Sequence, residues 1–287
     1  MRSISADKIK DAVRDLCIQA NIVLRKDILQ ALKISYSKET SKRAKEILAA
    51  IIKNAAIAKK EKLAICQDTG LPCIFVEIGQ NVKISGDLRQ AINQGVELGY
   101  KKGYLRNSII KDPLLRGKSG YQPAIIHIDI VKGSKLKITV LPKGFGCENK
   151  AQLKMFNPTV KIEEIKKFII ETVKSAGPDA CPPYVVGVGI GGTADYACLL
   201  AKKALLRKIR NPKSEIRNKS KFPNFQISKL ERDLLIKINK LDIGPMGLGG
   251  KTTALAVNIE TYPTHIAGLP VAVNISCHAL RSATMSL

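Results

Sequence analysis

The sequence predicts an α/β fold: a helical N-terminal region followed by mixed sheets covered by helices. Three patterns predict it. Apolar residues recur at helical spacing through about residues 6–60, strand-like alternation follows in the middle of the chain, and strand–glycine–helix units fill the second half.

In the first region Ile9, Val13, Leu16, Cys17 and Ala20 fall at three- and four-residue steps, as do Ala44, Ile47, Leu48 and Ile51. From Leu71 the period changes to a short strand, Cys73–Ile78, and then a helix around 88–102. Gln122–Val131 alternates, with Ile126, Ile128 and Ile130 on one face and His127 and Asp129 on the other. Leu136–Leu141 reads as its hairpin partner across the Gly133-Ser134 turn. Helices are expected near 148–155 and 162–175. Tyr184–Val188 then leads through a glycine run into an Ala/Leu-rich helix ending near Arg207. Residues 208–227 are basic and polar with two prolines, an exposed loop. A helix around 229–239 and strands near 254–259 and 270–275 complete the chain, which is read as one domain, 1–287, or two subdomains.

At 287 residues and 45% hydrophobic content the chain can bury a sizeable core. It has no evident signal peptide and no apolar run near the roughly 18 residues of a membrane span, so the expected location is the cytoplasm. The net charge of +24, spread in short Lys/Arg clusters over helix-like stretches, is read as a solvated surface, with an acidic partner subunit the alternative; aromatics are only 5% and Trp is absent, so a base-stacking platform is not expected. Seven cysteines without a CxxC pair resemble neither a disulfide framework nor a zinc ribbon.

Two glycine motifs invite nucleotide readings. Gly187, Gly189 and Gly192 satisfy GxGxxG, but the acidic residue expected about 20 positions on falls in the basic loop. A tight turn bringing N–H groups to an anion is the alternative. Gly250-Lys251-Thr252 ends like a P-loop, yet Pro245 stands where the motif requires glycine, leaving an anion-contacting turn with Lys251 as a carboxylate or phosphate contact.

The cysteines carry more chemistry. Cys66-Gln67-Asp68-Thr69-Gly70 places a thiolate, an amide and a carboxylate beside a turn. Cys181 lies in Ala180-Cys181-Pro182-Pro183-Tyr184, and Cys277 follows Asn274-Ile275-Ser276. Three thiolates from separate turns suit an iron–sulfur cluster with one open iron, whose Lewis acidity acts on a hydroxyl leaving group. The alternative for each is a buried thiol.

These segments, with Lys143-Gly144-Phe145-Gly146-Cys147-Glu148-Asn149, the Gly187–Asp195 and Gly244–Thr253 runs and Thr264–Val273, resemble the alpha subunit of the class I fumarate hydratase/L-tartrate dehydratase family over nearly the whole chain. The resemblance implies a [4Fe-4S] cluster with one open iron held by Cys66, Cys181 and Cys277. It implies reversible hydration of fumarate to L-malate, with L-tartrate dehydration as the alternative. An iron–sulfur sensor binding nucleic acid is the reading from another class. Asp68 is the expected acid or proton relay, or else an Asx-turn residue. His265 matches the pocket histidine, while His127 and His278 are set aside. Gln67, Arg106 and Lys251 are expected to bind substrate carboxylates, with a surface salt bridge the alternative at Arg106. Gly144 and Gly146 would let N–H groups approach. Cys147 stands where serine is expected and is not counted as a ligand; Cys17, Cys73 and Cys198 are read as core. Single-chain members continue into a further domain, so a separate beta subunit, as α2β2, is expected to complete the site. The substrate would be a small dicarboxylate, with no membrane.

Overall fold

The computed structural model describes residues 2–209 and 225–287. They divide into two compact units, one comprising Met1–Arg25, Asn54–Phe145 and Arg281–Leu287, the other Lys26–Lys53 and Gly146–Leu280. Among the described residues no helix is long and apolar enough to cross a membrane.

The first unit opens with strand β1 (Arg2–Ser5) and helix α1 (Ala6–Ile22), whose first turn is capped by the Ser5 hydroxyl accepting from the Lys8 N–H. After the end of α3 (Lys42–Glu61) come β2 (Leu71–Gly79), β3 (Val82–Ser85), α4 (Leu88–Lys102), a β4–β5 hairpin (Ile109–Asp112, Arg116–Gly120), β6 (Ile125–Val131) and β7 (Leu136–Lys143). Helix α4 runs where the periodicity put it, started by an Asp87 cap on the Gln90 N–H. The sheet order is β12-β7-β2-β6, with β12 (Ala283–Ser286) at the far edge. Ile74, Val76, Leu136, Ile138 and Val140 are buried in one cluster with Ile9, Val13, Leu16 and Cys17 of α1 and Ile92 and Val96 of α4. Each fully buried aliphatic side chain there stabilises by about 1.5–3 kcal/mol relative to exposure.

The expected β6–β7 hairpin is not formed. β2 lies between the two strands, parallel to β6 and antiparallel to β7. The short connection passes over the end of β2, where the Gln80 and Asn81 N–H groups donate to the Val131 and Gly133 carbonyls. Gly79 permits this crossing, because a Cβ there would stand 2.5 Å from the Gly133 carbonyl oxygen.

The second unit contains α2 (Lys26–Lys38), the start of α3, β8 (Gln152–Phe156), α6 (Ile162–Ala176), β9 (Tyr184–Gly192), α7 (Ala194–Ala204), α8 (Phe225–Asn239), β10 (Ala254–Thr264) and β11 (Leu269–Ser276). A four-residue helix, α5 (Phe145–Glu148), marks the start of its main segment. The helix expected at 148–155 is replaced by α5 and by β8, which pairs antiparallel with β11 from Leu269↔Phe156 to Val273↔Gln152. The sheet order is β10-β9-β11-β8. One face buries Val186, Val188, Val257, Ile259, Val273 and Ile275 with Ile165, Ile169 and Val173 of α6 and Leu234 and Ile238 of α8. Of the basic loop expected at 208–227, residues 210–224 lie outside the described residues, and 225–227 are helical.

The glycine run is strand rather than turn. A Cβ at Gly187 or Gly189 would fall 2.1 Å from the Ala201 carbonyl oxygen or 2.0 Å from that of Ala197. These glycines let α7 press its backbone onto β9, which accounts for the motif without a nucleotide. Gly189→Ala is therefore expected to destabilise by about 3 kcal/mol in denaturant titration, since backbone cannot yield as a side chain does. Gly249→Ala, where a Cβ meets nothing within 4 Å but φ is +78°, is expected to cost about 1 kcal/mol. Equal losses would contradict the packing role of Gly189.

Candidate active site

In the first unit the loop Cys66–Gly70 joins α3 to β2 and is held from several sides. At its entry Ile65 donates its N–H to the Asn21 carbonyl, at 2.9 Å, and accepts from the Asn54 side chain, at 2.8 Å. At its exit the Tyr100 hydroxyl donates to the Thr69 and Gly70 carbonyls, both at 3.0 Å. Burial pushes the Tyr100 phenol above its usual range, so it remains a neutral donor. The Arg106 backbone N–H donates to the Thr69 hydroxyl at 3.0 Å, while the Arg106 side chain is exposed. The buried Arg281 guanidinium donates to the Asp68 carbonyl and to the Asn21 side chain.

The Asp68 carboxylate accepts from the Gly70 N–H at 2.9 Å, an Asx turn, and from the Phe145 N–H at 2.8 Å. Gly144 belongs to this contact, since a Cβ on it would lie 3.2 Å from the carboxylate. The frame leaves Gln67 exposed and Cys66 half-buried. A thiol, an amide and a carboxylate thus stand on a braced turn at the start of β2, the kind of support that fixes a reacting group.

In the second unit Cys181 and the segment after Cys277 come together. His278 donates its backbone N–H to the Cys181 carbonyl at 3.3 Å, and its ring Nδ1 lies 3.1 Å from the same oxygen. Cys181 holds φ at +56°, a left-handed backbone that costs a non-glycine residue about 1 kcal/mol or more. The surroundings fix it there: Cys181 donates to the Pro178 carbonyl, Tyr184 donates to the Thr253 carbonyl, and the Tyr184 hydroxyl donates to Gly177. The Met246 N–H donates to the Pro182 carbonyl at 2.9 Å, docking the Gly244–Leu248 turn against this loop.

The remaining expected site residues lie elsewhere. Gly146 stands at the start of the second unit. His265 is exposed in the β10–β11 turn, its Nδ1 accepting from the Ala267 N–H at 3.2 Å. Lys251 is exposed, and its backbone N–H donates to the buried Glu39 carboxylate at 2.8 Å. Further N–H groups of that glycine loop are also engaged internally: Gly250 donates to Asp242, and Thr253 to Asn239.

No disulfide joins the described cysteines, and exposure sorts them. Cys66, Cys181 and Cys277 are half-buried at turns. Cys17 and Cys73 are core residues, and burial pushes the Cys17 thiol well above its usual range. Cys147 is buried, its thiol donating to the Ala180 carbonyl at 3.3 Å. Cys198, expected in the core, is exposed: α7 buries Ala197, Leu200, Ala201 and Ala204, and Cys198 falls off that stripe. Among the described residues no three His, Cys, Asp or Glu side chains gather into a metal-holding group.

Sequence reasoning passed over Arg281 and set His278 aside. Both act through hydrogen bonds to distant segments, and no local motif signals them.

Comparison with known proteins gives a consistent result. The model of the family described as fumarate hydratase (Fumerase) matches residues 10–286. A Methanocaldococcus jannaschii protein, provisionally named L(+)-tartrate dehydratase subunit alpha, is 43% identical over 284 residues, covering 96% of each chain. The L(+)-tartrate dehydratase subunit alpha of Escherichia coli K12 is 30% identical over 285 residues, 98% of this chain and 91% of its own.

Proposed function

Because the chain belongs to the fumarate hydratase (Fumerase) family, we propose that it is the alpha subunit of a hydro-lyase for four-carbon hydroxydicarboxylates, working in the cytoplasm with a beta subunit as α2β2. The observation that carries the reading is the family match across residues 10–286. The relatives' designation as alpha subunits supports the partner. It also brings L-tartrate level with malate and fumarate as substrate, and no residue on the chain separates the two.

Cys66, Cys181 and Cys277 are the proposed ligands of a [4Fe-4S] cluster. Their fit rests on donor chemistry and setting: soft thiols, half-buried at turns, one of them on a left-handed backbone held by its surroundings. When bound, such a cluster supplies a Lewis acid for a hydroxyl leaving group. Cys147 stays outside the set, since its thiol is buried and spent on a carbonyl.

The chain's own residues then divide the work. Asp68, fixed through two backbone N–H groups, would hold or move the proton at the departing hydroxyl. Gln67 and Arg106 have exposed side chains able to bind a substrate carboxylate, the guanidinium as a two-pronged donor. Lys251 would add a point charge, His265 a pocket imidazole, and Gly144 and Gly146 a close approach of backbone.

The test is an anaerobic assay of the chain co-expressed with its partner subunit, following malate and L-tartrate dehydration side by side. Turnover of either is expected; the larger kcat/KM assigns the substrate. Turnover of neither by an iron-loaded complex would contradict the reading.

A further inference from the structure

In the first unit β6 forms an edge of its sheet, paired with β2 from Cys73↔Ile125 to Gly79↔Val131. The Val131 carbonyl accepts from the Gln80 N–H at 2.8 Å, so the backbone groups of Val131 point toward β2. In a strand these directions alternate. The N–H and C=O groups of Ile126, Ile128 and Ile130 therefore point away from β2, where no strand of the described residues pairs with them.

This edge is long and apolar. Ile125, Ile128 and Ile130 are 44%, 37% and 77% exposed. Folded proteins usually guard such an edge with lysine, proline or a bulge. Within β6 itself, Ile125–Val131, there is no Lys, Arg or Pro and the ladder to β2 has no bulge, in a chain where 48 of 287 residues are basic. A chain of net charge +24 thus keeps this edge strand free of Lys and Arg.

The order Ile126-His127-Ile128-Asp129-Ile130 is also self-complementary. Two copies paired antiparallel about Ile128 would set Ile126 opposite the partner's Ile130. The same pairing sets His127 opposite the partner's Asp129, twice by symmetry. The isoleucines carry the outward N–H and C=O groups, so they would form the hydrogen-bonded pairs, with His and Asp between them at cross-strand distance. Other registers are worse. A centre at Asp129 opposes two carboxylates, and a one-residue slip turns the isoleucines to the wrong face. Within one copy the His127 ring stacks on Phe75 at 5.1 Å, which holds it in place.

We infer that β6 is the docking edge for a second copy of this chain, joined by antiparallel pairing about a two-fold axis at Ile128. This extends the proposed α2β2 assembly by naming its α–α contact, and the pairing would hold whether or not the chain binds a cluster.

Sedimentation equilibrium of the full chain tests it. The wild-type chain is expected to be dimeric. His127→Asp places like charges opposite each other at both symmetric pairs and is expected to weaken the dimer about tenfold or more. The double variant His127→Asp/Asp129→His reverses the pair and is expected to restore the dimer, which a folding defect would not do. A wild-type chain that stays monomeric would overturn the inference, as would a dimer indifferent to His127→Asp. If the edge serves a different subunit, the chain alone is monomeric and His127→Asp weakens capture of that subunit, which also overturns it.

Discussion

Cys277→Ser is expected to lower turnover of the assembled enzyme by about a thousandfold or more, with iron lost in parallel, because a serine hydroxyl is a poor ligand for iron beside soft sulfide. The substitution tests the ligand role cleanly. Cys277 sits half-buried just past the end of β11, so exchanging sulfur for oxygen there should cost only about 1 kcal/mol of stability. Cys147→Ser is the control. That thiol is buried and donates to the Ala180 carbonyl, which a serine hydroxyl can also do. Iron and turnover are expected to survive it. Iron analysis and circular dichroism on the same preparations check both expectations, and a Cys277→Ser variant that keeps its iron would remove it from the ligand set.

Asp68→Asn is expected to cut kcat by about 10²–10⁴-fold, the range for removing a general acid or base. The structure also gives Asp68 a building role, and the two must be separated. Its carboxylate receives N–H groups from Gly70 and Phe145, and an amide can accept only through its single oxygen. The lost bond is expected to cost about 1 kcal/mol. If Asp68 moves a proton, iron content and KM stay near wild type while kcat falls. If it only anchors the turn, iron content falls together with kcat, because the same turn carries Cys66.

How much of this was legible depended on whether the signal was local. Ile9, Val13, Leu16 and Cys17 announced α1 because one helix face supplies the first unit's core. The stretch 88–102 declared α4 for the same reason. The β6–β7 hairpin was misread because Gly133-Ser134 is a good local turn, whereas the insertion of β2 depends on a strand about fifty positions earlier. Residues 152–156 were misread as helix because Gln, Leu, Lys and Met favour helices in isolation, while the ladder to β11 decides otherwise. The glycines of β9 looked like a nucleotide turn, and only the carbonyls of Ala197 and Ala201 explain them.

At the candidate site the cysteine motifs stood out in sequence, since Cys66, Asp68 and Gly70 are consecutive or nearly so. The supports did not. Arg281 reaches the Asp68 carbonyl across 213 positions, and His278 meets the Cys181 carbonyl across 97. Neither residue type nor spacing encodes such contacts; they follow from the chain closing on itself.

The most direct test is electron paramagnetic resonance of the anaerobically reconstituted chain, with its partner subunit, after mild oxidation and with iron and sulfide quantified. The account predicts a [3Fe-4S] signal that persists in Cys147→Ser and disappears in Cys66→Ser, Cys181→Ser and Cys277→Ser. A signal that needs Cys147, or a folded wild-type complex that takes up no cluster, would contradict it.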